Sequence, residues 1–401
     1  MTSASLRTSQ SSVAASSLSS LDESGVLKRG LTLVAANNAT VTLVDSDGSS
    51  CDYTDLISAF AAVNFGHNNP DIRVQLEGPD IAAYFYPAET EIVAAWLTTH
   101  LQLSAHKVLF QVGGSFAVST ALALGQHRKP GAVVAVEGGY HGLGVDALSV
   151  GTVQREYALQ RSSWSTFSEQ QVTILPHGAM PDWDGVSSLI YEPIQGANGY
   201  VALRSDWLAE LEAEARDAGV TIIADEIQSG FYRHGFLSVA RSRGLEPDIL
   251  LFSKSLTNGI YPLSAVVYNS DLLGRDIPTP RLAHTFQMGV LGYKAAAAVA
   301  SWLDTAPVDD LVAEVSALLQ KAAAEISNVD GVRRVEVNGA TLSFQPTAIS
   351  AATVAARCFE AGVMVFTGGH NGERIRVAPP LTIPRQQLEE SLAVVVSAVA
   401  D

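Results

Sequence analysis

Cysteine is nearly absent, with Cys51 and Cys358 the only two in 401 residues and no C-x-x-C pair between them. Their spacing suggests neither a disulfide framework nor a zinc site, and it suits a reducing cytoplasm. Basic side chains are also scarce: 25 Lys and Arg against 41 Asp and Glu leave a net charge of −16, and only six of the 25 are lysines. Without a run of Lys and Arg, such a chain repels nucleic acid and anionic membranes. The longest apolar runs, 295–303 and 392–400, fall short of the roughly 20 residues a membrane-spanning helix needs. Residues 1–24 are rich in Ser and Ala, carry Arg7 as their only cation and lack the continuous apolar core of a secretory signal. We read them as a mobile tail leading into a short helix. No internal repeat or low-complexity linker is visible.

What is present is a large apolar fraction, 47%, in a chain long enough for two domains. Residues 31–56 alternate apolar and polar side chains around Ser46-Asp47-Gly48, which predicts a strand pair. From 90 onward, helical spacing trades places with short apolar runs. Strands are expected at 108–112, 132–137, 172–175, 187–191, 220–225, 249–252 and 264–268, with helices at 90–101, 116–127 and 206–218. Ser205 is placed to cap the last of these helices and Gly219 to end it. Near-continuous apolar strands separated by helices indicate an α/β fold, a mostly parallel sheet covered on both faces. After about 300 the pattern changes to a smaller α+β unit, with VMVF (363–366) read as one strand. The expected division is a segment 1–58 that joins the small domain, a large domain 59–300 and the small C-terminal domain 301–401.

Three features fall at strand ends, where ligands of such sheets collect. Gly113-Gly114-Ser115 sits where a strand gives way to a helix, so backbone N–H groups and the helix dipole offer an anion site. Asp225 ends a buried run, where a carboxylate needs a partner: a helix, a structural cation or a protonated pyridine nitrogen. Lys254 follows the next apolar run, 29 residues on, and can be a solvated loop lysine or the Schiff-base anchor of an aldehyde cofactor. Ends of adjacent parallel strands lie about 5 Å apart, so one small ring could touch both.

Several motifs then occur in order: GHNNP (66–70), YHG (140–142), EPIQGANG (192–199), ADEIQSGF (224–231), SK (253–254), HTF (284–286) and RVAPPL (376–381). From about Asp45 to the C-terminus the chain resembles the class III, or ω-amino, aminotransferases of the pyridoxal-phosphate fold type I family. The resemblance implies pyridoxal 5'-phosphate as cofactor, Lys254 as its covalent anchor and Asp225 as partner of the ring nitrogen. It implies that Gly114 and Ser115 hold the phosphate, that Tyr140 and Ile227 cover the two ring faces, that Gln228 lies near the phenolic oxygen, and that His141 and Glu192 lie close by. Thr285 would reach the phosphate of a neighbouring subunit, which implies a homodimer with shared sites. Arg376 would grip a substrate carboxylate with two parallel hydrogen bonds. No metal is implied, and the partners are a small amine or amino acid and a keto acid.

Three positions depart from the family pattern. Ala197 stands where many relatives carry a glutamate that pairs with the substrate arginine, so Arg376 should stay available to carboxylates or need another partner. Leu143 replaces the arginine that grips a far carboxylate in acetylornithine and ornithine enzymes, which favours a donor with an apolar or differently recognised tail. Phe116 replaces an acidic residue beside the phosphate glycines. The expectation is a transaminase of specialised biosynthesis; an aminomutase, decarboxylase or epimerase on the same cofactor is the alternative, and would consume no keto acid.

Overall fold

Alternate side chains of the central strands point to opposite faces, and this period of two dictates where everything else packs. The computed structural model describes residues 30–81, 85–153, 171–273 and 282–400. The tail expected at residues 1–24 lies outside the described residues. Three strands open the described chain: β1 (Leu31–Asn37), β2 (Thr40–Asp45) and β3 (Ser50–Asp55). The expected pair is thus a three-stranded meander, because a second reversal at Asn38, with φ 51°, precedes the turn at 46–48. Asparagine tolerates that left-handed conformation, which hydrophobic periodicity does not report.

The central sheet follows with β4 (His106–Gln111), β5 (Ala132–Val136), β6 (Val172–Leu175) and β7 (Val186–Tyr191). A short hairpin, β8 (Ile194–Gln195) and β9 (Val201–Ala202), leads on to β10 (Thr221–Asp225), β11 (Ile249–Phe252) and β12 (Ser264–Asn269). Seven of these strands form one sheet in the order β4-β12-β11-β10-β7-β5-β6, in which only β12 runs against its neighbours. Val133, Ala135, Ile223, Ile249, Leu251 and Val266 face the helix Gly114–Arg128, which buries Ala117, Val118, Ala121 and Leu122 on them. The intervening Val134, Val136, Ile222, Ala224, Leu250 and Phe252 share the opposite core with Trp207, Leu208 and Leu211 of the helix Ser205–Asp217. Each such Val, Leu, Ile or Phe side chain contributes about 1.5–3 kcal/mol by leaving water.

The helix Ser205–Asp217 differs from expectation at its start. Ser205 is its first residue, and Arg204 occupies the cap position without making a side-chain cap bond. Arg204 instead pairs with Asp206, whose Oδ1 accepts from the N–H of Trp207 at 2.8 Å. Its end is as expected: Gly219 has φ 69° and donates to the carbonyl of Arg216 at 2.9 Å.

The C-terminal part holds β13 (Val332–Val337), β14 (Leu342–Pro346), β15 (Val363–Met364), β16 (Phe366–Gly368) and β17 (Arg374–Val377). VMVF is therefore not one strand. β15 runs parallel to β3 in the N-terminal sheet, whereas β16 joins β13, β14 and β17 in another. The break at Val365 lets one segment tie two sheets together. Among the described residues no helix is long and apolar enough to cross a membrane.

The helix Gly114–Arg128 approaches the sheet so closely that a Cβ on Gly125 would lie 2.0 Å from Ser188 Oγ. Gly125→Ala should therefore destabilise the fold by about 1–3 kcal/mol, the usual cost of overfilling a packed core. Urea unfolding at constant pH measures it.

Candidate active site

The parallel register Asp225↔Leu251 puts the end of β10 beside the end of β11. Two residues past β11, Lys254 adopts φ 49°, a left-handed conformation that costs an ordinary residue about 1–2 kcal/mol. Its neighbours hold it there. Ser253 Oγ donates to the carbonyl of Leu263 at 2.8 Å, and Ser255 Oγ to that of Ala61 at 2.7 Å. Burial, chiefly, pushes the Lys254 ammonium down to about 8, against the favourable charges of Glu192 and Asp225.

The carboxylate of Asp225 has two partners. His141 Nδ1 lies 2.7 Å from Oδ2, and the N–H of Ile227 donates to Oδ1 at 3.1 Å. Both side chains are buried, and His141 Nε2 has no partner among the described residues. With Asp225 ionised, Nδ1 carries the proton and donates it. Glu192, at the end of β7, receives the N–H of Tyr140 at 2.8 Å and that of Gly196 at 3.2 Å. Burial first, and the nearby Asp225 charge in addition, raise it to about 7 although His141 pulls the other way. The adjacent Glu226 is turned away from this group. It accepts from the N–H groups of Val239 and Ala240 at the start of a short helix, so of the Asp-Glu pair only Asp225 meets His141.

Opposite this group the helix Gly114–Arg128 begins. Gly113 has φ 83°, and neither a capping side chain nor an acidic residue satisfies the first turn. A Cβ on Gly114 would come within 3.0 Å of Ile227 Cδ1, and one on Gly142 within 2.3 Å of Ser115 Oγ. Ser115 Oγ accepts from the N–H of Leu143 at 3.3 Å, so the Tyr140–Leu143 loop rests on the helix start. Gln228 donates to the carbonyl of Phe60 at 3.5 Å, but its Oε1 is buried without a partner among the described residues. Phe116 and Leu143 are among the exposed large apolar side chains.

Arg376 resolves the alternative posed by Ala197. Its Nε donates to the carbonyl of Thr367 at 3.0 Å and its Nη1 to that of Gly196 at 3.2 Å. The guanidinium carbon lies 5.2 Å from the ring of Phe366 and 6.0 Å from that of Tyr200. Its partners are thus neutral carbonyls and aromatic faces. Thr285 stands apart from this cluster, exposed in the turn Thr285–Met288. That segment is anchored by Gln111, whose Nε2 donates to the carbonyl of Leu282 and whose Oε1 meets His284 Nε2, both at 2.7 Å.

Sequence reasoning missed one device. Ser58, Ala59, Phe60 and Ala61 all have positive φ, from 46° to 63°, so four successive non-glycine residues make a left-handed turn. Asp55 holds it by accepting from the N–H groups of Ile57 and Ala59 at 2.9 and 3.1 Å, while the buried Arg233 and the carbonyl of Ala378 hold Ser58. Strain of this kind persists where the surroundings over-determine it, commonly beside a site. No propensity signal in Ser-Ala-Phe-Ala announces it.

The class III aminotransferase family model matches residues 26–399. The chain is a class III aminotransferase. It is 27% identical to the 2-aminoadipate transaminase of Pseudomonas putida, over 95% of this chain and 99% of that one. It is 26% identical to the putrescine aminotransferase of Pectobacterium atrosepticum, over 86% and 78%. The ornithine aminotransferase of Toxoplasma gondii superposes with a TM-score of 0.77 at 20% identity, covering 94% of this chain and 92% of that one, which speaks for the fold. This aminotransferase therefore has the fold type I architecture and depends on pyridoxal 5'-phosphate. Its residues fit that group: an open helix start for an anion, a buried carboxylate, the unpartnered Gln228 Oε1, and a lysine at the adjoining strand end.

Glu192 and Glu226 are both raised from 4.5 to about 7. Their protonated forms favour the folded chain, so the stability they contribute is full below about pH 4.5 and lost as pH rises through about 7. Glu192→Gln in the cofactor-free aminotransferase should make that decline shallower by about one proton. The pH slope of the urea-unfolding free energy reads this directly, and an unchanged slope would contradict the assignment.

Proposed function

We propose that Lys254 is the covalent anchor and proton carrier of this transaminase and that Asp225 is its ring-nitrogen partner, with the remaining roles as the family resemblance implies. The observation that carries this reading is the meeting of Asp225, His141, Glu192 and Lys254 beyond the ends of four neighbouring strands, β10, β5, β7 and β11. Bound pyridoxal phosphate supplies an electron-poor ring that accepts the electron pair left when a C–H bond beside nitrogen is broken. The Asp225 carboxylate would pair with the ring nitrogen, and His141 fixes the direction of that carboxylate. Lys254, with its affinity for protons lowered, takes a proton from the substrate carbon and returns it one atom away. Gly114, Ser115 and the helix start would hold the phosphate, Tyr140 and Ile227 would enclose the ring and Gln228 would meet its oxygen, while Glu192 orders the Tyr140 loop.

Thr285 serves the phosphate of a second copy, so the working form is a homodimer in the cytoplasm. The exposure of Thr285 and Phe286 supports this, since a segment aimed outward needs a partner to complete a site. The chain divides at 58/59 and 300/301 into a large domain and a composite small one, a division supported by the pairing of β15 with β3. The amino donor carries an apolar tail, because Leu143 offers no charge where acetylornithine and ornithine enzymes grip a far carboxylate, and the exposed Phe116 beside the phosphate glycines is apolar as well.

Lys254→Ala should abolish both the yellow absorbance of the bound cofactor and transamination, while Asp225→Asn should keep the colour and lower kcat by about 100-fold or more, the scale of losing one electrostatic stabiliser. Absorbance spectra and steady-state rates test the pair. A donor panel tests the tail: best turnover with N-acetylornithine would overturn it.

A further inference from the structure

We propose that Gln111 and His284 are a positioning pair that holds the loop by which one copy of this chain completes the phosphate site of a second. This deepens the proposed function and rests on the role given there to Thr285. Gln111 ends β4 and is only 1% exposed; its backbone is fixed by pairing with Ser264 on β12, whose hydroxyl donates to the carbonyl of Gly113 at 2.9 Å. The Gln111 amide can be oriented in only one way. A carbonyl oxygen only accepts, so the NH2 group must face Leu282 and Oε1 must face His284. His284 Nε2 therefore carries a proton and donates it. One side chain at a rigid sheet end thus meets the same loop at two points, Leu282 and His284. Gln111 lies just before its own chain's Gly113-Gly114 turn, yet its side-chain bonds go to the loop.

The loop is pinned on its far side as well. The N–H of Val290 donates to the carbonyl of Asp80 at 3.0 Å, and the Tyr293 hydroxyl donates to the carbonyl of Gln287. Inside the loop the N–H of Gln287 returns to the carbonyl of His284 at 3.0 Å, so Thr285 and Phe286 form the tip of a closed turn. These two are exposed, Phe286 to 59%, whereas Gln287 and Met288 behind them are buried. The imidazole of His284 also packs on the ring of Phe116, 5.5 Å between centroids, which ties the loop to the helix Gly114–Arg128. An outward tip held from both sides has given up its conformational freedom before a second copy arrives, so docking does not bear that ordering cost. Gln111 and His284 therefore act through Thr285 on a phosphate bound to the other subunit.

Mixed dimers with one competent site test this, because Lys254→Ala removes the yellow absorbance of the site it occupies. The quantity read is the dissociation constant for pyridoxal phosphate, titrated through that absorbance. With Gln111→Leu and Lys254→Ala together on one subunit and a wild-type partner, the competent site receives the altered loop and should bind the cofactor about tenfold more weakly, the scale of losing such hydrogen bonds. With Gln111→Leu on the competent subunit and Lys254→Ala alone on the other, the site receives an intact loop and should bind as wild type. Equal weakening in both arrangements, or none in the first, overturns the proposal. Should Gln111→Leu not fold, His284→Phe takes its place, keeping the ring packing but losing the donor, and the same two outcomes decide. Thr285→Ala on the loop-giving subunit distinguishes the pair from the contact it serves. Weakening by Thr285→Ala but not by Gln111→Leu overturns the pair alone; weakening by Gln111→Leu but not by Thr285→Ala supports the pair and refutes the role given to Thr285. A chain that stays monomeric overturns both.

Discussion

A carboxylate buried at the end of a wholly buried strand has to be matched, and much of this molecule follows from how Asp225 is matched. Its oxygens are taken by His141 and the N–H of Ile227. The first contact fixes the Tyr140–Leu143 loop, which Glu192 grips from behind. The second fixes the turn carrying Ile227 and Gln228. Between them these contacts align the loop with the start of the helix Gly114–Arg128, where glycines are needed because side chains would collide with Ile227 and Ser115. One desolvated charge thus orders three chain segments.

The same economy of charge governs the opposite wall. The charges of Glu192 and Asp225 oppose the downward push of burial on Lys254, and the Glu192 charge acts likewise on Arg376. Arg376 itself meets two carbonyls and two aromatic rings. The left-handed turn at Ser58–Ala61 extends this wall, and it is stable because Asp55, Arg233 and Ser255 each hold one part of it. The backbone strain and the buried guanidinium occur together, linked by Phe60 against Phe366.

Much of the site was legible because its parts sit where strands end, and strand ends can be read from apolar runs. Asp225, Lys254 and the Gly113–Ser115 turn were placed this way, and the family motifs named their neighbours. What escaped was lateral. Phe366 and Tyr200 lie 166 positions apart, and nothing in their local composition marks them as the walls of one guanidinium. Nor does periodicity distinguish one strand at 363–366 from two strands in two sheets, since both choices bury Val363 and Val365.

By itself the sequence determined the layered α/β plan, the order of strands and helices and the types of chemical group available, because burial patterns repeat with the period of each element. The tertiary structure alone decided which groups meet. It turned Glu226 away and Asp225 inward, gave Ser205 no capping role, and surrounded Arg376 with neutral partners. These outcomes depend on contacts between residues far apart in the chain, where the cost of an unmatched charge or a steric overlap, rather than local preference, selects the arrangement.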